Sequence, residues 1–179
     1  DRIRYDTPRF AGFGLAVDHQ NDDDWGVGAS YGASIGGVKI SAQLGYQNSQ
    51  QSTADEATRT IGSLSILLPM GLSLTGAAGE RSANSGTVDD SSKFRYGKVG
   101  YQFKGSELGQ TRLFVEWHEV KDLVVLGDET TTFGFGVVQI VEPLGAELVL
   151  VYHNIDLDLA NGAPSDDIDA LTAGIRLSF

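Results

Sequence analysis

Charged and hydrogen-bonding residues recur along this sequence at every second position, with apolar residues between them. Arg2, Arg4 and Asp6 flank Ile3 and Tyr5. Lys39 and Gln43 alternate with Val38, Ile40, Ala42 and Leu44, and Lys98 alternates with Val99, Tyr101 and Phe103. Arg112, Glu116 and His118 alternate with Leu113, Val115 and Trp117. Glu147 opposes Leu148 and Leu150, and Arg176 opposes Ile175 and Leu177. Successive side chains of an extended chain point to opposite faces, so these polar residues share one face and the apolar residues take the other. Fixed charges facing water sort passing solutes by sign and size, and need no nucleophile to do so.

Other chemistry has weaker support. Covalent catalysis requires a nucleophile beside a base that a third group orients. The three histidines, His19, His118 and His153, lie in no recognisable Ser/His motif, although His19 is close to an acidic run. That run, Asp22, Asp23 and Asp24, could hold a divalent cation such as calcium, because hard cations prefer carboxylate oxygens. Through such a cation it could reach lipopolysaccharide. The Gly-x-Gly pairs at Gly12/Gly14, Gly26/Gly28 and Gly134/Gly136 lack the following helix that a phosphate loop needs. No cofactor is otherwise implied.

The 179 residues suit one domain and carry a formal charge of −11, which argues against nucleic acid as a partner. There is no cysteine, so disulfides and thiolate metal sites are excluded. No apolar run approaches the roughly 20 residues of a membrane-spanning helix. A transmembrane β-barrel remains open, since its strands are only half apolar.

The elements that carry the charges read as about ten strands of roughly ten residues, the length a tilted strand needs to cross a bilayer. No helical periodicity is visible. The connections at 36–37, 69–71, 104–110 and 142–145 are the shorter ones. Those at 19–24, 48–56, 80–92, 121–129 and 159–167 are mostly longer and acidic. Short turns on one rim and long loops on the other suit a transmembrane barrel. Trp25, Tyr46, Trp117 and Tyr152 are candidates for one aromatic girdle, and Phe13, Tyr101, Phe103 and Phe179 for the other. A soluble β-sandwich also has short alternating strands, but its solvent face would carry more charge than the Gly, Ser and Ala found here.

Two ends of the chain carry a family likeness. Residues 171–179 alternate, with Leu171, Ala173, Ile175, Leu177 and Phe179 on the apolar side, and the chain closes on an aromatic residue. This resembles the closing strand of bacterial outer-membrane barrels, in which the terminal residues, here Ile175, Leu177 and Phe179, belong to the insertion signal. Residues 2–13, Arg-Ile-Arg-Tyr-Asp-Thr-Pro-Arg-Phe-Ala-Gly-Phe, resemble the strand after the constriction loop in general bacterial porins. The resemblance implies an all-β, up-and-down outer-membrane barrel domain over residues 1–179, corresponding to the later strands of a sixteen-stranded porin. The early strands and the constriction loop would then be missing. About eleven strands is an odd number, whereas closed bacterial barrels have even counts; the other possibility is that Arg2, Arg4 and Asp6 lie outside a smaller barrel.

The resemblance further implies a passive channel for small hydrophilic solutes and ions, not an enzyme. Its setting would be a lipid bilayer, its assembly a homotrimer, and Arg2 and Arg4 would belong to the basic wall. The candidate lumen residues are then Arg2, Arg4, Asp6, Lys39, Gln43, Lys98, Arg112, Glu116, His118, Glu147 and Arg176. A non-conducting structural or adhesive barrel is the alternative, with an outer-membrane hydrolase behind it. The many inward Gly, Ser and Ala residues favour an open lumen over a filled one.

Overall fold

Alternating apolar and polar side chains favour a pleated strand with one apolar and one wet face. The computed structural model describes residues 1–20, 24–52, 55–84, 89–122 and 126–178, with backbone alone at 50–52, 55–56, 84 and 89–90. The strands are β1 (Arg2–Asp6), β2 (Phe13–Gln20), β3 (Trp25–Ile35), β4 (Val38–Ser52), β5 (Asp55–Leu67) and β6 (Leu72–Asn84). They continue with β7 (Asp89–Ser106), β8 (Gly109–Lys121), β9 (Glu129–Val141), β10 (Ala146–Asp158) and β11 (Ile168–Leu177). Each pairs with the next in a single antiparallel sheet without crossovers, and β1 and β11 are its edges. Arg2–Asp6 therefore belongs to the sheet, paired with β2 from Arg2↔Gln20 to Asp6↔Ala16. The one helical element among the described residues is a 3-10 turn, Glu142–Leu144.

No second layer covers the sheet among the described residues. Val141 and Ala146 are the only buried apolar side chains there. Leu150, Ile175 and Leu177 are 45%, 72% and 62% exposed, which is incompatible with the dry interior of a sandwich. Register carries the apolar parity from strand to strand: Val17 opposes Val27, Ile40 opposes Ile66, Val99 opposes Val115, and Val137 opposes Leu150. This face is the hydrocarbon-facing one. Its long-loop border is aromatic, with Trp25 tilted against Tyr46 at 5.4 Å and Tyr152 against Phe135 at 5.1 Å. Toward the short turns, Phe13 meets Tyr31 at 4.5 Å and Tyr101 meets Phe103 at 5.6 Å. Phe179 lies outside the described residues.

The expected contrast in loop length is only partly found. β4 has 15 residues and β7 has 18, so strand pairing continues through much of 48–56 and 80–92. The 104–110 turn likewise shrinks, with Ser106 opposing Gly109. Beyond the hydrocarbon both faces of a strand are wet, so polarity there does not signal a loop. On the outer face, charges begin past the Trp117 and Tyr152 level. They form ion pairs such as Lys121 with Glu129 at 3.0 Å and Lys93 with Glu80 at 3.5 Å.

At the other rim three turns are fastened to a strand beyond them. Gly12 accepts a hydrogen bond from the Gly32 amide, Gly71 from Gln102, and Gly145 from Ser178, at 2.8–2.9 Å. The last contact puts the end of β11 on the short-turn rim. Gly71 has φ +93°, and a Cβ there would collide with the Gln102 carbonyl oxygen. Gly36 also has positive φ, +57°, but open space around it. Gly71→Ala is therefore expected to cost at least about 2 kcal/mol, from backbone strain plus loss of the Gln102 bond, and Gly36→Ala about 1. Urea unfolding in lipid vesicles measures both.

Candidate functional site: the charged inner face

The face opposite the apolar one is built by the same register. All eleven predicted lumen residues fall on it. Arg2 and Arg4 oppose Gln20 and Asp18, Lys39 opposes Ser34, and Gln43 opposes Ser30. Lys98 opposes Glu116, His118 opposes Tyr96, Arg112 opposes Gln102, and Glu147 opposes Arg176. They do not form one site. Lys39, Arg112, Glu147 and Arg176 sit toward the short turns, where Arg176 approaches Glu147 at 3.8 Å and Arg112 donates to Gln110 at 3.1 Å.

Arg2, Arg4, Asp6 and Gln43 line a concavity of about 890 Å³ where the sheet curls. One cross-strand row runs through it: Arg4, Asp18, Gly26, Gln47, Arg59, Arg81 and Ser92, each directly opposite the next. Arg4 makes a two-pronged contact with Asp6, both bonds 2.8 Å, and Arg2 meets Asp18 at 3.2 Å. Arg9, in the turn after β1, also lines the concavity, lying against the inner side of Gly14 and Gly32. The chain as a whole is strongly acidic. Yet this wall presents Arg2, Arg4, Arg9, Arg59 and Arg81 against Asp6 and Asp18.

Arg9, Arg59 and Arg81 were not among the sequence-predicted lumen residues. The alternation that would reveal Arg59 and Arg81 is lost where the outer face becomes polar, at Thr58, Thr60, Glu80 and Ser82.

A second cluster surrounds Glu116 on β8. Tyr96 donates its hydroxyl to Oε2 at 2.6 Å, and Lys98 Nζ lies 3.5 Å from the same oxygen. Lys98 also rests on the Phe114 ring, 3.5 Å from its centroid. His153 Nε2 reaches Glu116 Oε1 at 3.0 Å from β10, two strands away. It can do so because Gly134 lies between them: a Cβ there would stand 2.5 Å from the imidazole Cδ2. His118 faces the rings of Tyr96 and Phe94, at 6.3 and 6.1 Å.

Of the acidic run, Asp22 and Asp23 lie outside the described residues. Asp24 accepts a hydrogen bond from Ser49 at 3.0 Å.

A curled antiparallel sheet with an apolar outside and a charged, wet inside is the wall of a transmembrane β-barrel. The particular kind follows from comparison with known proteins. The family model described as Gram-negative porin matches residues 1–174, and the chain belongs to that family. Its location is accordingly the bacterial outer membrane. Comparison with curated protein sequences finds no match. Two solved structures share the fold. OccAB4 of Acinetobacter baumannii superposes with a TM-score of 0.68 at 11% identity, over 97% of this chain and 51% of that one. The anion-selective porin of Comamonas acidovorans gives 0.63 at 17% identity, over 100% of this chain and 59% of that one. The chain thus spans little more than half the length of either.

Proposed function

We propose that the full protein is a passive diffusion channel for small hydrophilic solutes and ions, with a preference for anions at neutral pH. The observation that carries this reading is the row through Arg4, Arg59 and Arg81 on the concave, water-facing side. Fixed cations along a narrow aqueous path raise the local concentration of anions and lower that of cations. The solved relative from Comamonas acidovorans is described as anion-selective, which is in keeping with this reading. Passage through such a path makes and breaks no bond, so no catalytic group is needed. Assembly as a homotrimer belongs to the same proposal and rests on family likeness.

Planar-bilayer recording tests it. The full-length protein should give discrete ohmic steps, and a KCl gradient should give a reversal potential of the sign for Cl⁻ over K⁺. A correctly folded barrel that stays electrically silent would favour a structural role instead.

A further inference from the structure

Two arginines of the inner row stand apart from the other charges of that face. Arg59 on β5 and Arg81 on β6 are directly opposite one another. Like charges so placed repel, because opposed Cβ atoms are only about 5 Å apart. The arginines of β1 have partners: Arg4 is held by Asp6 and Arg2 by Asp18. Asp18 is three strands from Arg59 along the row, about 14 Å at the usual strand spacing. Among the described residues neither Arg59 nor Arg81 forms an ion pair. Arg59 donates to Gln47 at 3.4 Å, and Arg81 has no hydrogen bond there.

The surroundings leave room for a counter-charge. Both arginines are exposed and line the concavity. Along their strands the inner neighbours are Ala57 and Ile61 beside Arg59, and Gly79 and Ala83 beside Arg81, none of them charged. Across the row, Gln47 of β4 and Ser92 of β7 flank the pair and offer neutral donors. The row is level with Trp25 and Tyr46, at the long-loop end of the lipid-facing belt.

From this geometry we infer that Arg59 and Arg81 together form a binding site for a doubly charged phosphoryl group, that of free phosphate or of a phosphate monoester. A dianion between the two guanidinium groups turns their repulsion into attraction. Each guanidinium presents a planar fork of N–H donors that matches two oxygens of one phosphoryl group. Chloride, a single atom of single charge, cannot engage both forks in this way. The site names a solute class that the long-loop mouth would concentrate, and in that sense it rests on the channel reading above.

The test is calorimetric titration of the full-length protein in detergent at pH 8, where a phosphate monoester carries close to two charges. Glycerol phosphate and inorganic phosphate are titrated separately against a background of KCl. Wild type should bind with saturation, one phosphoryl group per chain. Binding of the ester as tightly as the free ion assigns the site to phosphorylated solutes; binding of the free ion alone assigns it to inorganic phosphate. Arg59→Lys with Arg81→Lys keeps both charges but loses the forks, and should weaken binding about tenfold or more. The same variant should keep the wild-type reversal potential in a KCl gradient, which shows it to be folded and its field intact. Absence of saturable binding by wild type overturns the site. So does wild-type affinity in the double lysine variant, because the pair would then act as diffuse charge alone. A wild type that binds the phosphoryl group yet gives no ohmic steps would remove the channel reading and leave the site standing.

Discussion

Replacing Arg59 and Arg81 together by alanine is expected to shift the Cl⁻/K⁺ preference toward cations by roughly tenfold at low salt. The two residues are directly opposed on β5 and β6, and both line the concavity. Asp6 and Asp18 remain after the exchange, each held by an arginine of β1. The wall then loses two of its five arginines while keeping every inner carboxylate, so its field falls by more than the arginine count alone implies. Arg59 is itself loosely held, donating to Gln47 Oε1 at 3.4 Å, so its removal should leave folding intact. Arg112→Ala is the comparison. That residue lies toward the short turns, away from the concavity, and its loss should change the preference far less. Reversal potentials in a KCl gradient separate the two results, and the difference should fade in molar salt, where charges are screened within about 3 Å.

The second large effect concerns folding. Leu150→Arg should destabilise the inserted protein by about 2–4 kcal/mol, because Leu150 lies on the lipid face within the apolar run of β10 and a cation there must leave water. The neighbouring Val151→Arg should insert normally, since Val151 opposes Gly136 and Thr172 on the wet side. One position along the chain thus separates a folding defect from a selectivity change. Urea-dependent unfolding in vesicles reports the first, and bilayer recording the second. Equal destabilisation by both variants would mean that the two faces have been assigned wrongly.

Much of this architecture was legible in the sequence wherever lipid covers one side of a strand. There the parity of Leu113, Val115 and Trp117 against Arg112, Glu116 and His118 is plain, and register confirms it. The turns at 36–37, 69–71 and 142–145 were legible for a related reason, since Gly and Pro mark where pairing must reverse. Legibility failed above the aromatic border. Between 80 and 92 the outer residues are as polar as the inner ones, so paired strands look like loop, and Arg81 was hidden with them. The contact of His153 with Glu116 was illegible for a different reason. Parity puts both on the inner face, but only the stagger of β8, β9 and β10 brings them together across Gly134. Arg9 was hidden because it belongs to a turn and folds back over the inner glycines.

The near absence of buried apolar side chains among the described residues also bears on what this molecule can be dissolved in. A water-soluble domain carries its cohesive interior wherever it goes, whereas here the surrounding acyl chains take that part. Amphiphile chain length then acts as an extension of the sequence: a hydrocarbon slab too thin or too thick for the belt between Trp117 and Leu113 strains the wall without a single residue being changed. Melting temperature should accordingly pass through a maximum as detergent tails are lengthened, as though the solvent itself were being mutated.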